Sequence, residues 1–228
     1  LTVKDNLEVI QTHIRKSCAK VGRNPADIHL IGVTKYVGVE RTREAIRAGV
    51  SHIGENRAPG LHAKQEGLTD NHDTVSWHFI GTLQSRKVKD VIPTVHYIHS
   101  LDRLSLAKEI HKRAEQAVNC FVQVNMSGEA SKHGLPPKDV QAFLESLTPY
   151  TNVKVVGLMT MAPYTHDEEY LRDLFRRLKV LQTAMADAGY EHAPCTELSM
   201  GMSNDYQIAV EEGATYIRIG SALVGNEG

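Results

Sequence analysis

Cysteine is scarce and follows no pairing pattern. Cys18, Cys120 and Cys195 stand far apart, and no CxxC occurs. An odd, scattered set argues against a disulfide framework or a zinc knuckle and fits a reducing, cytoplasmic setting. An excess of one charge is lacking too. The chain has 26 Lys and Arg against 27 Asp and Glu, a net charge of -1, so no strong field draws it to nucleic acid or an anionic membrane. No apolar run approaches a membrane span, and the opening LTVKDNLEV has no signal-peptide pattern. The 12 histidines are scattered, with neither HExxH nor a paired helical spacing, which speaks against a histidine metal site. A GxGxxG turn after the first apolar run is also missing, which disfavours an open dinucleotide-binding sheet.

What the chain does have is ordinary core material: 228 residues, 41% hydrophobic and 23% charged. With no linker or low-complexity tract, we read residues 1–228 as a single domain. Val3, Leu7, Ile10, Ile14, Cys18 and Val21 recur at steps of three and four, which predicts an N-terminal amphipathic helix ended by GRNP. One unit then repeats: a short apolar run, a small or polar end, a helical stretch. Strands are expected near 28–34, 51–56, 76–81, 96–100, 120–125, 153–159, 196–200 and 215–220. The clearest helices run from Glu168 to Ala188 and from Asp102 to about Gln116. Alternating strands and helices imply parallel pairing through right-handed crossovers. Eight such units predict an α/β fold of the closed (β/α)8 TIM-barrel type. So few residues follow the last strand that its outer helix must be rudimentary, and the extra N-terminal helix is expected to cover part of the gap.

Active sites of such barrels lie at the C-terminal ends of the strands, so strand-end residues are the candidates. Here these are Lys35, Glu55 with Asn56, His78 to Gly81, Asn125, Met159, Ser199 with Met200, and Arg218 to Ser221. Lys35 closes the apolar run LIGVTKYVG. A neutral lysine amine attacks carbonyls to form a Schiff base, and burial or a nearby cation favours that neutral form; the ordinary reading is a lysine that snorkels to solvent or pairs with a carboxylate. Arg218, between isoleucines in YIRIG, needs a partner if buried. Barrel closure should bring it near Lys35, and a strand-end carboxylate such as Glu55 is its ordinary structural partner. Two Gly/Ser loops, SMGMSND (199–205) and RIGSALVG (218–225), follow the last two strands, where these barrels commonly bind phosphate. Asn204 and Gln207 have capping-box-like spacing. An amine, an arginine and a phosphate cup at one mouth call for a ligand with a carbonyl at one end and a phosphate at the other. Pyridoxal 5′-phosphate (PLP) fits, and so does the sugar phosphate of an aldolase.

The stretches LIGVTKYV, HIGENR, WHFIGTLQSRK, YIHSLDR, VQVNMSGEASKHGL, GLMTMAP, ELSMGMSND and IRIGSALVG resemble, in that order, the pyridoxal phosphate homeostasis proteins. These look like the N-terminal barrel of alanine racemase standing alone. The resemblance implies that Lys35 holds PLP as a Schiff base, that Arg218 approaches the pyridine nitrogen and that Asn56 lies against the cofactor. It also implies that Ser199, Met200, Gly201, Gly220 and Ser221 cradle the phosphate. Arg57 stands where an aromatic is common, Arg86 where Asn is usual, and Ser221 where Thr is frequent. The resemblance further implies a monomer that carries PLP and supplies it to apo-enzymes. An arginine at the pyridine nitrogen disfavours its protonation and so weakens carbanion chemistry. Racemases of this kind take a second base, a tyrosine, from a second domain, and nothing nominates Tyr36, Tyr164 or Tyr206 for that role. A small PLP-dependent racemase is the alternative. Lys132, in the loop-like stretch 127–137, is a candidate second amine for handing the aldehyde on, although a solvated loop lysine is its ordinary reading.

Overall fold

The structure, a computed structural model, describes residues 1–130 and 133–227, apart from the side chains of residues 72 and 73. Eight strands pair in sequence order and close on themselves. They are β1 (His29–Val33), β2 (His52–Glu55), β3 (Ser76–Phe79), β4 (Tyr97–Leu101), β5 (Val118–Gln123), β6 (Val153–Met159), β7 (Glu197–Ser199) and β8 (Tyr216–Ile219). Every pairing is parallel, and β1 closes the ring with Ile31 opposite Arg218. Helices connect the strands, as parallel pairing requires, with one more before β1 and one after β8. They are α1 (Val3–Val21), α2 (Val39–Arg47), α3 (Ala58–Gly67), α4 (Val88–Val91), α5 (Leu104–Arg113), α6 (Val140–Ser146), α7 (Glu168–Asp187), α8 (Tyr206–Glu211) and α9 (Ser221–Val224).

The N-terminal helix forms for local reasons. Thr2 Oγ accepts from the Asp5 N–H at 3.0 Å, and Asp5 accepts in return from the Thr2 N–H at 3.2 Å, a complete capping box. Gly22, at φ 70°, ends the helix in the left-handed region. Its buried face carries Val3, Leu7, Ile10, Ile14 and Cys18 and packs on α8, α9 and α2. The helix after β8 has four residues, so α1 supplies the wall that α9 leaves short. Asn6 Nδ2 fastens the two by donating to the Leu223 carbonyl at 2.8 Å. Burying five apolar side chains supplies roughly 10 kcal/mol of transfer free energy.

Two details differ from the sequence expectation. Helix α5 is shorter than 102–116, because Arg103 and Ala114 are both extended and the latter leads the chain toward β5. The Asn204/Gln207 capping box does not form; α8 begins after Asp205, whose Oδ1 instead accepts from the Met202 N–H at 2.7 Å.

The strands' outer faces carry Ile53, Trp77, Ile98, Val122, Leu198 and Ile217, all buried in the main apolar core. The barrel interior is different. A small cluster of Ile31, Phe121, Met159 and Tyr216 is joined by rings of His29, His52, His78, Tyr97 and His99. Such interiors are more often filled with branched aliphatics.

Candidate functional site

Strand β1 leaves the ladder after Val33. The Thr34 N–H still reaches the Gly54 carbonyl at 3.1 Å, and the Val37 N–H then closes a turn onto Thr34 O at 3.2 Å. That turn lifts Lys35 out of the wall. Its side chain is exposed, with Nζ 5.0 Å from the centre of the Tyr36 ring. Among the described residues it has no ion pair.

The turn rests on a buried polar cluster that the sequence reading missed. Glu55, at the tip of β2, is 2% exposed and Lys64, inside α3, is 5% exposed. Their side chains meet at 3.2 Å. Thr34 Oγ donates to Glu55 Oε2 at 2.9 Å, and Lys64 Nζ donates to the Thr34 carbonyl at 2.9 Å. The cluster therefore clamps the residue next to Lys35 from both its side chain and its backbone. Gly60 leaves room for it, since a Cβ there would stand 2.6 Å from Glu55 Oε1.

Glu55 is thus occupied, and the alternative of an Arg218–Glu55 salt bridge is not realised among the described residues. Arg218 points two N–H groups elsewhere: one to Ser199 Oγ, the other to the Thr160 carbonyl at 3.0 Å. Burial pulls its guanidinium down to about 10, opposed by the charge of Asp205, so it remains a cation at neutral pH. Arg218 lies level with Ile31 of β1, and Lys35 follows four residues beyond on that neighbouring segment.

The two Gly/Ser loops converge. Gly201 has φ 102°, and a Cβ there would stand 2.7 Å from Ala209 Cβ, so only glycine is accommodated. Its carbonyl accepts from the Arg218 N–H at 2.9 Å, which ties the first loop to β8. Ser203 Oγ, missed in the sequence although it lies within SMGMSND, accepts from the Ala222 N–H at 3.4 Å and joins the two loops. Ser221 is exposed as the first residue of α9, directly after Gly220. Ser199 and Met200 sit differently. Ser199 is fully buried with its hydroxyl between Arg218 and His99, and Met200 is fully buried in the apolar core with its N–H on the Tyr216 carbonyl.

Asn56 follows β2, half-buried and backed by Gly81, where a Cβ would overlap the Asn56 carbonyl oxygen. Beside it opens a cavity of about 660 Å³ lined in part by Arg57, Thr82, Gln84, Arg86 and Lys87. Asn125 is spent on its own loop, accepting from the Gly128 N–H at 3.1 Å and donating to the Glu129 carbonyl at 2.8 Å. Tyr36 and Tyr164 are exposed, while Tyr206 is buried with its hydroxyl 2.7 Å from His13 Nδ1 on α1. Lys132 lies outside the described residues.

This geometry has relatives. Residues 2–227 match the family model described as alanine racemase, N-terminal domain. A pyridoxal phosphate homeostasis protein of Aquifex aeolicus is 40% identical, over 97% of this chain and 96% of its own length. The chain belongs to the pyridoxal phosphate homeostasis protein family. Among solved structures, PipY of Synechococcus elongatus with PLP bound superposes with a TM-score of 0.81 at 34% identity, covering 93% of this chain and all of that one. An alanine racemase of Clostridium difficile shares the fold at a TM-score of 0.75 and 17% identity, and this chain covers 56% of it. The order of strands and loops in this homeostasis-family chain is therefore that of the racemase barrel.

Proposed function

We propose that this chain binds PLP reversibly through Lys35, as a cytoplasmic monomer that limits free aldehyde and supplies apo-enzymes. The observation that carries the reading is the pairing of an unbridged lysine amine with two phosphate-type loops held together by Ser203 and Ala222. The residues present fit the cofactor. Gly201 and Gly220 keep the cradle free of side chains, Ser203 and Ser221 supply hydroxyls, and Arg218 has N–H groups left after binding Ser199 and Thr160.

When bound, the cofactor supplies an aldehyde that condenses with an amine, losing water, and is released when water returns. Lys35 provides the amine from a solvent-facing turn, so water can reach the bond and the hold stays reversible. The Thr34–Glu55–Lys64 cluster fixes that turn in place. Ser203, Ser221 and the loop N–H groups bind the phosphate oxygens. Because backbone N–H groups and hydroxyls accept a dianion without bringing a net charge, the grip is firm but separable.

Holding is favoured over amino-acid racemisation by Arg218. A guanidinium has only donors, so at a ring nitrogen it keeps that nitrogen unprotonated. Carbanion stabilisation is then weak.

The test is a titration of the purified chain with PLP, followed by mixing with an apo-enzyme that requires it. Saturable binding, reactivation faster than PLP dissociates into buffer, and no D-alanine formed from pure L-alanine are expected. Steady racemisation would make it an enzyme, and reactivation no faster than dissociation would remove the supply role.

A further inference from the structure

Four of the histidines scattered through the sequence fall inside the barrel, and three of them are joined end to end. Because a guanidinium carries only donors, Arg218 donates to Ser199 Oγ. Ser199 is fully buried, so its own proton needs an acceptor, and His99 Nδ1 lies 2.9 Å away. His99 therefore accepts at Nδ1 and carries its proton on Nε2. That nitrogen is 2.9 Å from His78 Nδ1, which imposes the same tautomer on His78. His78 Nε2 is in turn 2.9 Å from Nδ1 of the half-buried His52, at the first position of β2. Each link fixes the direction of the next. Stacking holds the ring planes, His78 on Tyr97 at 4.3 Å and 7° and His99 on Phe121 at 4.4 Å and 23°.

We infer that His52, His78 and His99 form a one-way hydrogen-bonded wire through the barrel interior that positions Arg218 as a donor beneath the mouth. Donation from Ser199 to His99 makes Ser199 Oγ a stronger acceptor, because successive hydrogen bonds polarise one another. This draws one edge of the guanidinium toward β7; with another N–H on the Thr160 carbonyl, the remaining N–H groups are left for a ligand. The inference rests on the reading of Arg218 as a cofactor contact. The three histidines are positioning residues; none is asked to touch the cofactor.

The wire must stay neutral to keep its direction. Burial, reinforced by the neighbouring histidines and, at His99, by Arg218, holds His78 and His99 well below the usual histidine range and His52 at about 4. The other titratable groups around it are His29 on β1, His96 ahead of β4, Tyr97 on β4 and Tyr216 on β8; Glu197 and Asp205 bear on Tyr216 and Arg218. A wire of this kind is an insulator rather than a pH sensor.

Two measurements test it. Nitrogen NMR of histidine-labelled full-length protein should show His78 and His99 protonated on Nε2, unchanged from roughly pH 5.5 to 8. A proton on Nδ1 of either, or titration within that window, overturns the inference. Equilibrium dialysis of PLP should show His99→Phe retaining it roughly tenfold more weakly or worse. His99→Asn, whose Oδ1 can still accept from Ser199, should recover most of that loss. The pH profile of the bound PLP absorbance should shift in His99→Phe and not in His99→Asn. Equal retention and equal profiles in all three proteins overturn the inference. If the unaltered chain did not retain PLP at all, the functional reading would fall, and the NMR tautomers would still decide the wire. They also decide it if His99→Phe does not fold.

Discussion

Replacing Lys64 with methionine should cost far more than a surface lysine would. Lys64 Nζ holds the Glu55 carboxylate at 3.2 Å and the Thr34 carbonyl at 2.9 Å, in a site where both side chains are nearly inaccessible. In Lys64→Met the carboxylate stays buried with the Thr34 hydroxyl as its remaining contact in the cluster. Removing one partner of a buried pair typically costs about 3–5 kcal/mol, because the other charge is left uncompensated. For a domain of this size each kcal/mol lowers Tm by about 2–4 °C, so a fall of roughly 6–20 °C is expected. The double variant Lys64→Met/Glu55→Gln removes the stranded charge and should recover much of the loss, to within about 2 kcal/mol of the original. Urea unfolding followed by circular dichroism, with thermal melts alongside, measures all three proteins. A loss below about 1 kcal/mol in Lys64→Met would refute the reasoning, since that is the range of an exposed pair. So would a double variant that is weaker than the single.

Gly81→Ala pushes a methyl into the Asn56 backbone carbonyl, which must shift; it should lower Tm and weaken PLP binding, measured by dialysis on the folded protein, and unaltered affinity would contradict the placement of Asn56. Removing residues 1–21 strips the wall beside α9 and should leave a chain without a cooperative melt; a stable truncated barrel that binds PLP would contradict the role of α1. Burial lowers His52 to about 4 and His78 and His99 well below their usual range. The unfolded chain then binds protons that the folded chain refuses, so stability is whole above about pH 6.5 and falls as pH drops toward 4, by at most about 1.4 kcal/mol per pH unit for each histidine. Urea midpoints at neutral and mildly acidic pH should differ in that sense; equal midpoints would contradict it.

The barrel was legible because its signals are local and repeated: apolar runs of strand length, helical spacing between them, and small residues at strand ends. Lys35 was legible as an anomaly, a charge closing an apolar run. The turn that decides its exposure was not, because the Thr34–Val37 turn depends on Gly54 of the next strand and on Lys64 of α3. Lys64 itself reads as an ordinary helix lysine; only closure of β2 against α3 reveals that it is buried. The ordinary alternative for Arg218, a salt bridge to Glu55, fails for the same reason, as Glu55 is already held by Lys64. Met200 was shared between the expected strand 196–200 and the phosphate-type loop, whereas β7 ends at Ser199 and Met200 continues into the outer apolar layer. The interior histidines occupy inward positions on β1 to β4, separated by more than twenty residues along the chain. A search for short metal-binding spacings therefore passes over them, and strand register is what brings them together.

The central claim is that the amine of residue 35 takes the aldehyde. Borohydride reduction of the PLP-loaded chain, followed by digestion and mass spectrometry, tests it directly. The account predicts a yellow protein that bleaches on reduction, with the pyridoxyl mass fixed on the peptide carrying Lys35 and absent from Lys35→Ala. A colourless protein, or the added mass on another lysine while Lys35 stays unmodified, would contradict it.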